Sequence, residues 1–192
     1  MDINQHYLDS VKKQMHYYKA IGEKAIEQLE PNQLFIATNE ASNSIATIIK
    51  HLSGNMLSRW TDFLTTDGEK EWRIRDMEFE KEEQTKDEVL ATWNTGWNCF
   101  FEAIDSLLPE QLLQIIYIRN EGQTAMDAIN RQLAHYPYHI GQIVLYAKQL
   151  KQGDWESLSI PQNKSVSYNA DKFAQEKRIK NFTGDELKKL NK

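Results

Sequence analysis

The segment 132–142 carries the clearest chemical signal in the chain, because it holds His135 and His139 four residues apart in a stretch with helical periodicity. Residues four apart lie on one helix face, about one turn from each other, so both imidazoles can reach one cation. The HExxH signature of zinc proteases has this spacing, but Tyr136 stands where its glutamate would be. Two histidines are an incomplete site, since catalytic zinc takes three protein ligands plus water.

The third ligand has to come from elsewhere in the chain. His6 and His16 lie among polar residues of the first helical stretch, and we expect both to be exposed. Cys99 lies between aromatic residues, which favours a small buried thiol. His51 lies inside a regular helical stretch with Asn55 one turn further on. A carboxylate stays open as a further choice.

The helical phase of the histidines leaves two interpretations open. At about 100° per residue, one stripe of the fourth helix contains His135, His139, Gln142 and Tyr146, away from the apolar centre of that helix. His51 is displaced in the same way from the apolar stripe of the second helix. The three histidines either occupy wet outer faces or converge on one cation, leaving coordination positions for water or substrate.

The elements that must position these residues are helices. Apolar residues recur at three- and four-residue steps over about 4–29, 42–64, 86–108 and 124–150. These stretches predict an all-α fold, a four-helix bundle over residues 1–155. The loop 65–84 between helices two and three is longer than most helix connections, so we expect it to line a site.

Two features of the fourth helix matter for the site. Thr124 and Asp127 resemble a capping box with aspartate in place of glutamate. Pro137 either kinks a continuous helix or splits it and leaves His135 in a loop. The apolar residues keep helical phase across Pro137, which favours the kinked continuous helix.

The remaining segments are short. Residues 115–119 predict a strand from their β-branched content, without an obvious partner. Residues 156–192 form a C-terminal tail, for which we expect an extended start, a charged helix over about 170–180 and a second helix capped at Thr183.

Composition excludes several classes of function. The 192 residues carry a net charge of −5 with scattered lysines, which indicates neither a nucleic-acid nor a membrane partner. The single cysteine rules out an internal disulfide and a cysteine-rich zinc site. The N-terminus lacks the basic and apolar regions of a signal peptide, so we expect a cytoplasmic protein.

Other motifs are weaker. The chain has no nucleophile elbow, P-loop or dinucleotide fingerprint. Four acidic residues in the long loop indicate a solvated patch: Glu78, Glu80, Glu82 and Glu83. The tryptophans mainly indicate packing, although Trp60 and Trp72 could wall a pocket near that loop.

Together the motifs resemble the DinB/YfiT-like superfamily of metal-dependent helical-bundle proteins, most closely a bacterial branch with no assigned reaction. The resemblance rests on residues 51–56 (HLSGNM) and on the HxxxHxxQ pattern from His135 to Gln142. The loop 72–79 and the segment 157–161 add to it, and it spans about residues 3–168. It implies an up-down-down-up four-helix bundle, often dimeric, with a divalent metal on His51, His135 and His139. The family metal is usually zinc or nickel.

The resemblance also suggests a reaction. Some superfamily members are S-transferases that use a low-molecular-weight thiol such as bacillithiol or mycothiol, and one subgroup is a maleylpyruvate isomerase. We therefore expect a metal-dependent enzyme acting on a small molecule, most concretely a thiol S-transferase and a homodimer. A metal-dependent hydrolase and a non-catalytic, stress-related metal-binding protein are the alternatives.

Roles for further residues follow from this hypothesis. Gln142 and Asn55 would orient a ligand or a water, with Tyr146 also in the pocket. Arg59 and Arg75 would receive carboxylates on the thiol.

Overall fold

The computed structural model describes residues 2–80 and 84–190, over which the chain is mostly helical. The α-helices are α1 Ile3–Glu27, α2 Ile45–Trp60, α3 Lys86–Ser106, α4 Ala125–Lys151, α5 Ser165–Phe173 and α6 Thr183–Leu190. Two strands, β1 Ile115–Ile118 and β2 Glu121–Thr124, form an antiparallel hairpin. Short 3₁₀ helices cover Pro31–Phe35, Arg75–Phe79, Pro109–Leu113 and Gln152–Asp154.

The four long helices enclose the core. α2 packs along α3 and α1 along α4, and contacts of α2 with α4 and of α1 with α3 join these pairs. Aromatic side chains fill the centre, with Trp93, Trp97 and Phe100 from α3 and Tyr136 from α4 almost completely buried. Their rings meet mostly edge to face, which is a favoured arrangement for aromatic pairs.

The helix starts follow from side-chain caps. Ser44 accepts a hydrogen bond from the backbone N–H of Thr47 at the start of α2. The capping box predicted at Thr124 and Asp127 is confirmed, because each side chain bonds the backbone N–H of the other. The end of α2 is earlier than predicted, at Trp60, and Asp62 in the following turn has a φ of 48°.

Pro137 does not split the fourth helix. α4 is continuous from Ala125 to Lys151 with the proline inside it. The interpretation that placed His135 in a loop is therefore wrong, and both histidines of the pair lie on one helix.

The strand expected near residue 115 has a partner that the sequence did not reveal. β1 and β2 are joined by Arg119 and Asn120, both at positive φ (58° and 62°), as a two-residue type I′ turn requires. The carboxylate of Asp67 accepts hydrogen bonds from the backbone N–H groups of these two residues, at 2.8 and 2.9 Å. This ties the start of the long loop to the hairpin.

The tail differs from the prediction in one helix. α5 covers Ser165–Phe173, earlier than the predicted 170–180, whereas α6 is present and has Thr183, its predicted cap, as its first helical residue. Just before α6, the side-chain oxygen of Asn181 accepts a hydrogen bond from the backbone N–H of Thr183 at 3.0 Å. α6 packs against α1. Among the described residues, no helix is both long and apolar enough to span a bilayer.

Candidate metal centre

Three histidines from two helices meet at one point of the fold. His51 of α2 faces His135 and His139 of α4, with ring centroids 5.6 and 5.0 Å from its own. One potential ligand atom from each of the three lies within 4.8 Å of the others. The Nε2 atoms of His135 and His139 are 3.1 Å apart. We call this group the histidine triad.

The packing of α2 against α4 brings the triad together. Tyr136, which follows His135, is completely buried and reaches α2 with its hydroxyl. That hydroxyl accepts a hydrogen bond from Nε1 of Trp60 at 2.8 Å and donates one to Oδ1 of Asn55 at 3.3 Å. Because Asn55 lies one turn from His51, these bonds hold the two histidine-bearing helices in register.

Each ring of the triad has an oxygen acceptor on Nδ1. His135 is 3.0 Å from Oε1 of Gln132, and His139 is 2.7 Å from Oε1 of Gln142. His51 is 2.8 Å from Oε2 of Glu78. Because these oxygens accept, the proton of each ring lies on Nδ1, which leaves Nε2 with the lone pair that a metal ion needs.

The surroundings of His135 and His139 lower the pKa of both side chains. Burial lowers the pKa of His135 to about 4, and the neighbouring His139 and His51 add to this effect. Burial also lowers the pKa of His139, against the opposing effect of the hydrogen bond that His139 donates to Gln142. Metal ions bind the neutral form of histidine, so this environment favours coordination over protonation at neutral pH.

The donor set fits a divalent cation. With protons on Nδ1, the lone pairs of His135 and His139 face each other across 3.1 Å without a proton between them. A cation bound by these nitrogens would relieve that repulsion. Three imidazole nitrogens are the protein ligands of the carbonic-anhydrase type of zinc site. His51, His135 and His139 can therefore hold a metal ion.

The residues predicted to surround the metal differ in whether they contact the triad. Gln142 contacts His139, and Asn55 lies behind the triad, bonded to Tyr136. Tyr146 is buried and donates its hydroxyl to the carbonyl of Ile36.

The two predicted arginines also differ. Arg59 is buried, and its guanidinium donates to Glu69 at 3.1 Å and to the carbonyl of Gly68, so it is occupied within the protein. The half-exposed Arg75 lies 5.0 Å above the ring of Phe79, whose centroid is 5.3 Å from that of His51. Arg75 is therefore the predicted arginine that is in contact with solvent, and Phe79 connects it to His51 of the triad.

The prediction of a solvated acidic patch is wrong for Glu78. Its side chain is buried against α2, where it contacts His51 and Arg73, while Glu80 is exposed as predicted. Burial opposes ionisation of Glu78, but the hydrogen bonds from His51 and Arg73 prevail and lower its pKa. Glu82 and Glu83 lie outside the described residues.

Two polar partners of the triad were missed from the sequence. Gln132 precedes His135 by three residues, as Gln142 follows His139 by three, so helical spacing could have revealed it. Glu78 carried no such signal, because it reaches His51 from the long loop, where Arg73 binds it. The expectation that this loop lines a site agrees with that contact.

The other reactive side chains lie apart from the triad. His6 is exposed; His16 is exposed too, with its ring stacked on Phe101 at 3.9 Å. Cys99, expected to be buried, is only partly so, and burial raises the pKa of its thiol. Trp60 is buried and Trp72 is 58% exposed, so the two do not form one wall.

Comparison with known protein families gives a match. The model of a protein family described as "Protein of unknown function (DUF1572)" matches residues 2–164, which include the whole triad. The match ends just before α5. No curated protein and no solved structure matches the chain.

Proposed function

The chain belongs to the DUF1572 family, which has no assigned function, and from the site we propose a metal-dependent enzyme that holds one divalent ion on its histidine triad. The observation that carries the proposal is the convergence of His51, His135 and His139 from two helices, each ring with an oxygen acceptor on Nδ1. A packing role alone gives no reason for three such rings to converge.

Each part of the site has a task in this proposal. The Nε2 atoms of the triad hold the ion, and Gln132, Gln142 and Glu78 fix the rings through Nδ1. When bound, the ion supplies an electrophilic centre that lowers the pKa of a coordinating thiol or water. Zinc or nickel is the ion we expect from the resemblance to the DinB/YfiT-like proteins, and imidazole suits both.

The charge balance favours an anionic ligand opposite the triad. The three ligands are neutral imidazoles, and Arg73 neutralises the nearby carboxylate of Glu78. The ion would keep its double positive charge, which favours an incoming anion such as a thiolate. This supports the S-transferase version of the proposal over the hydrolase, because Glu78 is held against His51 and Arg73 and is not placed as a general base.

In a thiol S-transfer the sulfur forms a bond to an electrophilic carbon, the leaving group departs with the bonding electrons, and the thiol proton passes to solvent. The chain would bind and orient the thiol. Arg75, which is half exposed and lies over the Phe79 ring that contacts His51, is the arginine we propose for a carboxylate of the thiol. Arg59 is not part of this proposal, because Glu69 and Gly68 occupy it.

The relationship to the DinB/YfiT-like proteins, the up-down-down-up bundle and the homodimer belong to the same proposal. The mutual packing of the four long helices and the order of the histidines along the chain support the relationship and the bundle, and the homodimer rests on the resemblance alone.

Metal analysis of the purified protein tests the proposal. We expect about one zinc or nickel ion per chain in the wild type and loss of the ion in His51→Ala, His135→Ala and His139→Ala. His6→Ala is the control, because His6 is exposed on α1 and should leave the metal content unchanged. Metal content that survived all three triad substitutions would overturn the proposed site.

The reaction is tested separately with the zinc-loaded protein. We expect turnover of monobromobimane that depends on an added small thiol and disappears in His139→Ala. Cleavage of an ester or amide without thiol would indicate the hydrolase instead. Inertness in both assays would indicate a non-catalytic metal-binding protein.

A further inference from the structure

Glu78 is a buried carboxylate whose place beside the triad needs an explanation. It is 6% exposed and lies in the loop between α2 and α3, in the short helix Arg75–Phe79. Its Oε2 lies 2.8 Å from Nδ1 of His51. A carboxylate on Nδ1 keeps the proton there, so that Nε2 of His51 faces the triad as a lone-pair donor.

Arg73 holds this carboxylate in place. Its Nε donates to Oε1 of Glu78 at 2.7 Å and its terminal nitrogen to Oε2 at 3.1 Å, and the Arg73 side chain is itself only 3% exposed. Such two-point contacts fix orientation as well as position. Glu78 therefore holds Oε2 at Nδ1 of the His51 ring, and Nε2 on the other side of the ring stays available for the ion.

Helix α2 has a glycine where the carboxylate docks. A Cβ at Gly54 would run into Oε1 of Glu78 and would lie 2.9 Å from its Cδ. Glycine inside a helix is less stable than alanine by about 1 kcal/mol, and here it makes room for Glu78 one turn from His51. Two separate features of the chain, Arg73 and Gly54, thus serve the same contact.

We propose that Glu78 is a positioning residue of the metal centre: through its hydrogen bond to His51 it sets the affinity of the triad for a divalent ion. Arg73 and Gly54 hold Glu78 in the position that this requires. The inference rests on the metal-binding function proposed above. It adds that Glu78 fixes the tautomer and orientation of His51, the third ligand. Such partners of metal-bound histidines change metal affinity about 10–100-fold when removed.

If Glu78 had a purely structural role, it would only anchor the loop. Glu69 provides a matched control for loop anchoring. Glu69 lies in the same loop and binds Arg59 at 3.1 Å and Arg119 at 3.0 Å. It also lies 3.8 Å from a terminal nitrogen of Arg73, but the hydrogen bonds from Arg73 at 2.7 and 3.1 Å go to Glu78, as does the hydrogen bond of His51 to the loop. Glu69→Gln removes ion pairs of the loop without removing the His51 contact.

The experiment measures Zn²⁺ affinity by competition with a chromophoric chelator, the visible spectrum of the Co²⁺-loaded protein, and urea unfolding of the metal-free protein. Glu78→Gln keeps the shape of the side chain but loses its charge, and Gly54→Ala displaces the intact carboxylate. We expect at least a tenfold loss of Zn²⁺ affinity and a changed Co²⁺ spectrum in both. Glu69→Gln should bind Zn²⁺ within about twofold of wild type by the same reasoning, even where it unfolds more easily.

The outcomes separate the two proposals. Wild-type affinity in both Glu78→Gln and Gly54→Ala would overturn the positioning role and leave the metal-binding function standing. An equal loss of affinity in Glu69→Gln would also overturn it, since loop anchoring would then account for the effect. Failure of the wild-type protein to bind Zn²⁺ or Co²⁺ would overturn the proposed function itself.

Discussion

At the scale of single residues, the triad depends on the oxygen atoms that accept hydrogen bonds from Nδ1 of each ring as much as on the convergence of the three Nε2 atoms. Gln132 and Gln142 stand on opposite sides of the histidine pair along α4, each three residues from its ring. Each fixes the tautomer and the angle of one imidazole. Their distances of 3.0 and 2.7 Å make both contacts direct.

Removing either glutamine side chain should weaken metal binding. For Gln132→Ala and Gln142→Ala we expect about a tenfold loss of Zn²⁺ affinity, because the ring can then rotate and change tautomer. The measurement is competition with a chelator of known affinity. Gln149→Ala is the control, because Gln149 is exposed on the same helix outside the triad. Equal affinities in all three variants would contradict the role of the glutamines.

The lowered pKa of His135 predicts how acid acts on the metal-free protein. In the unfolded chain this imidazole takes up a proton near its ordinary pKa of 6.5, whereas in the folded protein it does so only near 4. Between these values the unfolded state binds more protons, so the free energy of unfolding falls as the pH falls from about 6.5 to 4. The lowered pKa of His139 acts in the same direction.

Comparison of the wild type with a variant that lacks the His135 imidazole measures how much His135 contributes to the pH dependence of stability. Thermal unfolding of chelator-treated wild type and His135→Asn is followed from pH 7 to pH 4. We expect the melting temperature of the variant to fall less steeply over this range, because it lacks one of the groups that protonate on unfolding. Parallel curves for the two proteins would refute the lowered pKa.

At the scale of elements, the separation of the helices is set by their small residues. Gly96 of α3 lies against Ser53 of α2, and a Cβ there would come within 2.7 Å of the Cα of Ser53. Backbone cannot move aside as a flexible side chain can. The close approach of α2 to α3 therefore depends on this glycine, and α2 carries His51.

Two glycine substitutions with opposite effects test this packing. Gly96→Ala should lower the free energy of unfolding by about 1–3 kcal/mol, because the two helices have to move apart. Gly141→Ala is the matched variant, since a Cβ there would meet nothing within 4 Å. It should raise the free energy of unfolding by about 0.5–1 kcal/mol through helix propensity alone. Urea unfolding measures both, and a stabilising Gly96→Ala would show that the helices are not in tight contact.

At the scale of the whole molecule, the triad and its partners lie in the part of the chain before residue 164, where the family match ends. α5 and α6 follow it. Among the described residues, α6 packs on α1, with Thr183 and Leu190 buried and Phe182 in edge contact with Tyr17. α6 thus packs on α1, whereas the triad lies on α2 and α4.

Truncation after residue 164 should separate stability from metal binding. We expect the shortened protein to fold and to bind about one metal ion per chain. It should lose about 2 kcal/mol of stability, comparable to the burial of one leucine side chain. Circular dichroism during urea unfolding and elemental analysis check these two expectations. A folded but metal-free truncated protein would show that the tail takes part in the site.

Much of the fold and part of the site could be read from local patterns in the sequence. The periodicity of apolar residues located the four long helices, and the Thr124 capping box located the start of α4. The spacing of His135 and His139 placed both rings on one helix face. These features depend on residues within one or two helical turns, so the local sequence determines them.

Only the tertiary structure decided how the third histidine and its partners join the pair. The meeting of His51 with His135 depends on how α2 packs against α4, and that packing is the sum of many contacts distant in sequence. Glu78 belongs to a run of acidic residues that resembles a solvated surface, and it is buried because the loop folds back onto Gly54 and offers it Arg73. Arg59 was predicted from its charge to bind a carboxylate of the substrate, but the folded loop brings Glu69 to it, and the two form an ion pair. Whether a charged side chain is free or paired depends on which residues lie near it in space. Local sequence patterns do not predict those neighbours, because they come from distant parts of the chain.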